Sequence, residues 1–188
     1  MPLVSGGGAF RSRRPPGTNS WPGVCIGPVT TNPGADATRG TSPTEEQVGI
    51  VIVDHGSRLH EANRRHEVFV EEWRQRGGFR MVEPAHMELA EPSIAMAFDA
   101  CVAGGCTTVV IAPYFLWPGR HWDRDLPDLA AEASERHPGV RYLVAAPLGP
   151  HPLLADIVEQ RVEHCLAHSA GNAPECDVCA GTGRCRLR

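Results

Sequence analysis

VGIVIVDHGSR, residues 48 to 58, joins an apolar run to a histidine and a glycine turn. The run from Val48 to Val53 is too short for an ordinary helix, and its valines and isoleucines suit an extended chain covered on both faces. It therefore reads as a strand inside a parallel sheet. His55 follows at the carboxyl end of that strand, the edge at which open α/β sheets bind ligands. A histidine satisfied by loop hydrogen bonds is the plain alternative.

Two further segments repeat the layout. TTVVIAPYFLWPGRHWDRD, residues 107 to 125, runs from a β-branched strand through an aromatic and proline loop to His121, with Arg120 and Arg124 beside it. FRMVEPAHMELAEPS, residues 79 to 93, is extended up to Glu88, and Pro92 and Ser93 open a helix. Three successive strand ends thus offer His, Glu and His. Two neutral imidazoles and one carboxylate suit a divalent transition metal such as Fe, Co, Ni or Zn.

Alternation along the chain predicts strands at 48 to 53, 79 to 87, 107 to 114 and 140 to 146. Helices are expected near 60 to 76, 92 to 103, 123 to 136 and 151 to 168. The fold class that follows is α/β, a four-stranded parallel sheet sandwiched by helices. Gly77 with Gly78, Gly104 with Gly105, and Pro138 with Gly139 punctuate it. DHGSR lacks the glycine spacing of a dinucleotide loop and the lysine of a phosphate loop, and Ser57 lacks the flanking glycines of a hydrolase elbow.

DHGSR, VEPAHMELAEPS, PYFLWPGRHWDRDLP and APLGPHPLL, in this order, resemble the short, single-repeat sirohydrochlorin chelatases, in the plastid branch of plants and algae. The resemblance covers about residues 48 to 188. It implies that His55 and His121 receive the metal and that Glu88 is the acidic partner, as ligand or proton acceptor. It also puts His86 where relatives usually carry an aromatic residue, either lining the substrate site or exchanging roles with Glu88. The implied reaction is the lyase-class insertion of Fe2+ into sirohydrochlorin to give sirohaem. A cobaltochelatase of the same family is the alternative, and a non-catalytic tetrapyrrole or iron-sulfur carrier is the rival from another class. A four-stranded unit is half of the two-lobed chelatase fold, so a homodimer is expected.

Composition agrees with a small enzyme. The 188 residues and 41% hydrophobic content support one ordinary core, and no apolar run approaches the ~20 residues of a membrane span. Residues 1 to 44 are rich in Gly, Pro, Ser and Thr and carry Arg11, Arg13, Arg14 and Arg39 against the single acid Asp36. Such a segment reads as an organelle transit peptide or a disordered tail, and the resemblance favours the chloroplast stroma. The rest of the chain holds 14 basic and 21 acidic side chains, a poor match for nucleic acid. Arginines remain beside the strand-end motifs, and Arg58, Arg120 and Arg124 are candidates for anchoring substrate carboxylates. Arg64, Arg65 and Arg74 read as helix-surface charge.

ECDVCAGTGRC, residues 175 to 185, spaces Cys176, Cys179 and Cys185 for one metal centre, with glycines that let the loop turn tightly. The string Cys-x-x-Cys-x-Gly-x-Gly resembles the zinc repeat of certain chaperones. The chelatase resemblance implies instead a [2Fe-2S] cluster with a fourth cysteine, for which Cys165 is favoured over an arrangement across a dimer, while Cys101 and Cys106 read as inert apolar residues. His164 and His168, four apart on a helix, are a weaker metal pair, and Cys25 lies in the leader. The domain plan is a leader at 1 to 44, a chelatase domain at 45 to 170 and a Cys-rich tail at 171 to 188.

Overall fold

In the computed structural model of the chain, residues 47–184 and 186 are described. The expected leader, with Cys25, and Cys185 of the tail lie outside the described residues.

β1 (Val48–Asp54) runs up the middle of a four-stranded, all-parallel sheet. β2 (Met81–His86) pairs on one side, β3 (Thr108–Pro113) on the other, and β4 (Arg141–Val144) lies beyond β3, giving the order β2-β1-β3-β4. Alternate side chains of β1 serve the two faces, as strand geometry requires. Val51 and Val53 point to a core with Phe98, Ile111 and Leu126, while Val48, Ile50 and Ile52 meet Val70 and Val82 on the other side.

The helices are α1 (His60–Arg74), α2 (Ile94–Ala103), α3 (Leu126–Glu135) and α4 (Pro152–Ser169). α2 begins where the sequence indicates, because the Ser93 hydroxyl accepts the Met96 N–H at 3.3 Å and caps the first turn. The helix expected from residue 123 is instead a π-helical turn, His121–Asp125, that leads directly into α3. α4 also forms where expected, yet none of its residues is buried. Leu153, Ile157, Val158, Val162 and Leu166 remain largely exposed along it. Among the described residues no helix is long and apolar enough to cross a membrane.

All strands being parallel, their carboxyl ends share one edge of the sheet. Main-chain bonds prolong the pairing past the strands: Met87 N–H reaches Asp54 O at 2.9 Å, and Tyr114 N–H reaches Val53 O at 2.7 Å. The loops that follow β1, β2 and β3 therefore leave the sheet at nearly one level.

Phe98 is fully buried beneath that sheet and stacks on His137 with ring centroids 5.6 Å apart. Phe98→Ala should destabilise the domain by about 3–5 kcal/mol, through lost transfer energy and a residual cavity. Urea unfolding followed by circular dichroism measures this, and a loss well under 1 kcal/mol would mean that α2 is not anchored through this ring.

Candidate active site

The turn after β1 is built by two side chains. Asp54 Oδ1 accepts the Gly56 N–H at 2.9 Å, and buried Asn63 of α1 receives the Ser57 N–H at 2.9 Å while donating to Ser57 O at 2.8 Å. Gly56 has φ +82°, and a Cβ placed there would lie 1.9 Å from Glu88 O, so any other residue would push the first loop off the second. His55, one residue earlier, is thereby held out at the sheet edge.

The three residues marked by sequence meet there. His55 Nε2 lies 3.3 Å from Glu88 Oε1, and the His55 and His121 rings pack edge to face with centroids 5.0 Å apart. Their side chains are 47%, 51% and 44% exposed for His55, Glu88 and His121, so the cluster faces open space. Among the described residues no group of three or more His, Cys, Asp or Glu is already arranged to hold a metal ion. Two imidazoles and a carboxylate are gathered on the edge without closing into a cage.

Asp125 escapes sequence reading. His121 Nδ1 lies 2.8 Å from Asp125 Oδ2 across the π turn. A carboxylate only accepts, so Nδ1 carries the proton and Nε2 keeps its lone pair for a ligand. The i, i+4 spacing of His121 and Asp125 on a helix was the signal available. Arg120 approaches the same carboxylate at 3.8 Å, whereas Arg124 faces Asp128 at 3.9 Å; both guanidiniums are highly exposed. Arg58 is exposed and lines a shallow cavity of about 280 Å3 with Ser57, His60 and Leu89.

His86 corrects an expectation. It is fully buried, with Nδ1 2.6 Å from Asp54 Oδ1, so it stands behind the edge and neither lines a substrate surface nor exchanges places with Glu88. Its Nε2 has no hydrogen-bond partner. His66 of α1 is buried nearby, donating Nε2–H to Ile52 O at 3.0 Å, and its Nδ1 is also unpartnered, 3.9 Å from Asp54 Oδ2. Burial pushes the His66 pKa below its ordinary value, against the opposing pull of Asp54. Each orphaned nitrogen costs about 1–3 kcal/mol, a large sum for a small domain.

A concavity of about 480 Å3 runs along α1 beside Arg64, Glu67, Glu71, Arg74 and Pro84 and contains none of the three edge residues. It is a surface of paired charges, such as Arg64 with Glu67, and we assign it no chemistry.

The tail folds back on α4. Arg161 holds Asp177 through two contacts at 2.5 and 3.3 Å, and His164 and His168 reach the carbonyls of Pro174 and Ala173. These two histidines therefore tether the tail and do not form a metal pair. Cys179 N–H reaches Cys176 O at 3.1 Å, which closes a turn between the two thiols. N–H groups of Cys179 and Val178 directed at the Cys176 sulfur hold its pKa below the ordinary thiol value. Arg161 lies within electrostatic reach of both Cys176 and Cys165. Cys101 and Cys106 are instead buried around Gly49, and burial pushes the Cys101 thiol up to about 12. They are packing residues.

Comparison with known proteins follows the same lines. Residues 49–165 match the CbiX family, and the chain belongs to that family. It is 55% identical over 139 residues to the chloroplastic sirohydrochlorin ferrochelatase of Arabidopsis thaliana, covering 74% of this chain and 62% of that protein. The crystal structure of a cobalamin (vitamin B12) biosynthesis CbiX protein from Marinobacter aquaeolei VT8 superposes with a TM-score of 0.57 at 28% identity, covering 65% of this chain and 99% of that one. The sirohydrochlorin chelatase SirB from Bacillus subtilis subspecies spizizenii, solved in complex with cobalt, gives a TM-score of 0.60 at 30% identity, over 62% of this chain and 50% of that one. The chain thus spans under two thirds of the Arabidopsis relative and half of SirB.

Asp125→Ala should weaken divalent-metal binding at the edge about 10–100-fold, because His121 loses its fixed tautomer and orientation. Asp125→Asn, which retains an acceptor, should lose less. A Co2+ titration followed in the visible measures both, and equal affinity in Asp125→Ala and the wild type would remove Asp125 from the site.

Proposed function

We propose that this protein inserts Fe2+ into sirohydrochlorin to make sirohaem. The observation that carries the reading is the convergence of His55, Glu88 and His121, from the segments that follow three separate strands, on one open edge. Membership of the CbiX family and the name of the Arabidopsis relative support the substrate.

Insertion exchanges two pyrrole protons for one Fe2+, so the site must strip water from the ion, present it to the macrocycle and take up two protons. His121, its Nδ1–H committed to Asp125, offers Nε2 to the ion, and His55 offers a second nitrogen. Glu88, beside His55 Nε2, can complete the ion's environment or accept a released proton. An open, half-exposed set suits an ion that must leave again, whereas a closed cage would retain it. Leu59, Leu89, Leu116 and Trp117, exposed on the same three loops, supply apolar surface for a flat macrocycle. Arg58 is exposed near this surface, and Arg120 and Arg124, held only by exposed, long ion pairs with Asp125 and Asp128, can turn to meet its carboxylate arms. Co2+ as the inserted metal is the second reading, favoured by the cobalt in the Bacillus structure.

The working unit on this reading is a homodimer. A chain spanning half of SirB would supply one lobe of two, and the apolar side of α4 is the surface that a second copy would cover. The arginine-bearing, acid-poor residues 1 to 44 and the chloroplastic relative support a place in the chloroplast stroma.

Cys176, Cys179, Cys185 and Cys165 would hold a [2Fe-2S] cluster. The fit rests on the thiol pair at the Cys176 turn, the donors that favour its thiolate, and the return of the tail to the Cys165 face of α4. Such a cluster supplies one-electron redox chemistry. Gly181 and Gly183, with φ of +73° and +60°, let the loop turn back.

His55→Ala and His121→Ala should each cut metal insertion at least about tenfold while the far-ultraviolet spectrum stays that of the wild type, since exposed loop ligands contribute little to the core. The assay is the absorbance change on adding Fe2+ to sirohydrochlorin without oxygen, repeated with Co2+. Rates equal to the wild type in both variants would refute the assigned site. Protein purified without oxygen should also be coloured by thiolate-to-iron absorption, and Cys176→Ser should abolish that colour with most chelation kept. A colourless protein holding stoichiometric zinc would replace iron by zinc on the tail.

A further inference from the structure

The proposed chemistry leaves unused one pair of a half-buried acid, Asp54, and a fully buried imidazole, His86. A single oxygen, Asp54 Oδ1, accepts from both Gly56 N–H at 2.9 Å and His86 Nδ1–H at 2.6 Å. Gly56 immediately follows His55, and His86 stands two residues before Glu88. One carboxylate oxygen thus joins, from below, the two loops that carry the facing His55 and Glu88 side chains.

Other links between these loops are few. Past the strand ends the main chain contributes Met87 N–H to Asp54 O at 2.9 Å and a long contact, Glu88 N–H to His55 O at 3.3 Å. Leu89, directly after Glu88, has φ +68°, a conformation that costs energy for a branched residue and persists only where the surroundings impose it. His86 also donates its main-chain N–H to Pro92 O at 2.8 Å, which ties the far end of the same loop. The residue therefore holds the Glu88 loop at both ends and fastens it to the His55 loop.

The side chain chosen for this place is an expensive one. Nε2 of His86 is buried without a partner, and a phenyl ring would fill similar space with no orphaned nitrogen. What the imidazole adds is the Nδ1–H donor. His66, on the other side of Asp54, cannot replace it, because its Nδ1 stays 3.9 Å from the carboxylate and its own proton is used on Ile52 O.

We propose that His86 is a positioning residue whose Nδ1–H bond to Asp54 sets the separation of His55 and Glu88, and with it the affinity of the edge for a divalent cation. The inference rests on the reading of that edge as the metal-receiving site. His86 touches neither metal nor macrocycle, and it acts through Asp54 and the loop backbones.

Two substitutions separate positioning from packing. His86→Phe keeps the volume and removes the donor, while His86→Asn keeps a donor close to the Nδ1 position and loses volume. The readout is the component of Co2+ binding, seen in the visible, that His55→Ala abolishes, taken together with the thermal midpoint of each variant. His86→Phe should bind Co2+ about tenfold or more weakly with its midpoint unchanged or raised, and His86→Asn should stay within about threefold of the wild type although its midpoint falls. Wild-type affinity in His86→Phe, or affinities that simply follow the midpoints, would overturn the positioning role. A wild type with no His55-dependent Co2+ binding would overturn both this role and the site. If that binding and its dependence on His86 persist in a protein that inserts no metal, the positioning role stands and the proposed reaction falls.

Discussion

The register of β1 between its two neighbours governs the chemistry of this chain. Asp54 lies opposite His86 and Val53 opposite Pro113, so the loops after three strands begin within about one residue of the same height. A slip of one residue would turn every side chain of β1 to the other face, moving Val51 and Val53 out of the core around Phe98. Hydrophobic burial thus fixes the register, and the register sets the level at which the loops that lead to His55, Glu88 and His121 begin. His55, Glu88 and His121 contribute little to that burial, being about half exposed, and on the proposed reading are available to an ion.

Local devices then tune what the register supplies. Gly56 permits an approach to Glu88 O that no other residue would allow, Asp125 settles which nitrogen of His121 is available, and Asp54 binds the first loop to the second. Each works by hydrogen bonding or sterics within a few ångströms. The π turn at His121–Asp125 contributes as well, since this irregular turn carries the histidine and its carboxylate into α3 without a break.

Much of this was legible in the sequence because burial on both faces leaves an unbroken apolar run. Val48 to Val53 and Thr108 to Ala112 show as strands for that reason, and Ser93 marks the start of α2 by a side-chain cap. His55 and His121 stood out as polar residues just beyond such runs. The roles of His86 and Glu88 did not, for a physical reason: two residues of equal parity share a face in a strand, and the pattern alone treats them alike. β2 ends at His86 and the chain leaves the strand through Leu89 at positive φ, so one side chain stays in and the other turns out. Asp125 was hidden by a helix start read as ordinary, and the exposure of α4 by an apolar pattern that does not say which surface covers it.

The central claim is that three strand-end residues, supplied by separate loops, receive the divalent ion. X-ray absorption at the cobalt edge, on the full chain with its tail cysteines already occupied and carrying one further equivalent of Co2+, reads the first coordination shell directly. The account predicts nitrogen and oxygen neighbours only, with the multiple-scattering signature of two imidazoles, reduced to one in His121→Ala. Sulfur in the first shell, or a spectrum unchanged by the loss of His121, would contradict it.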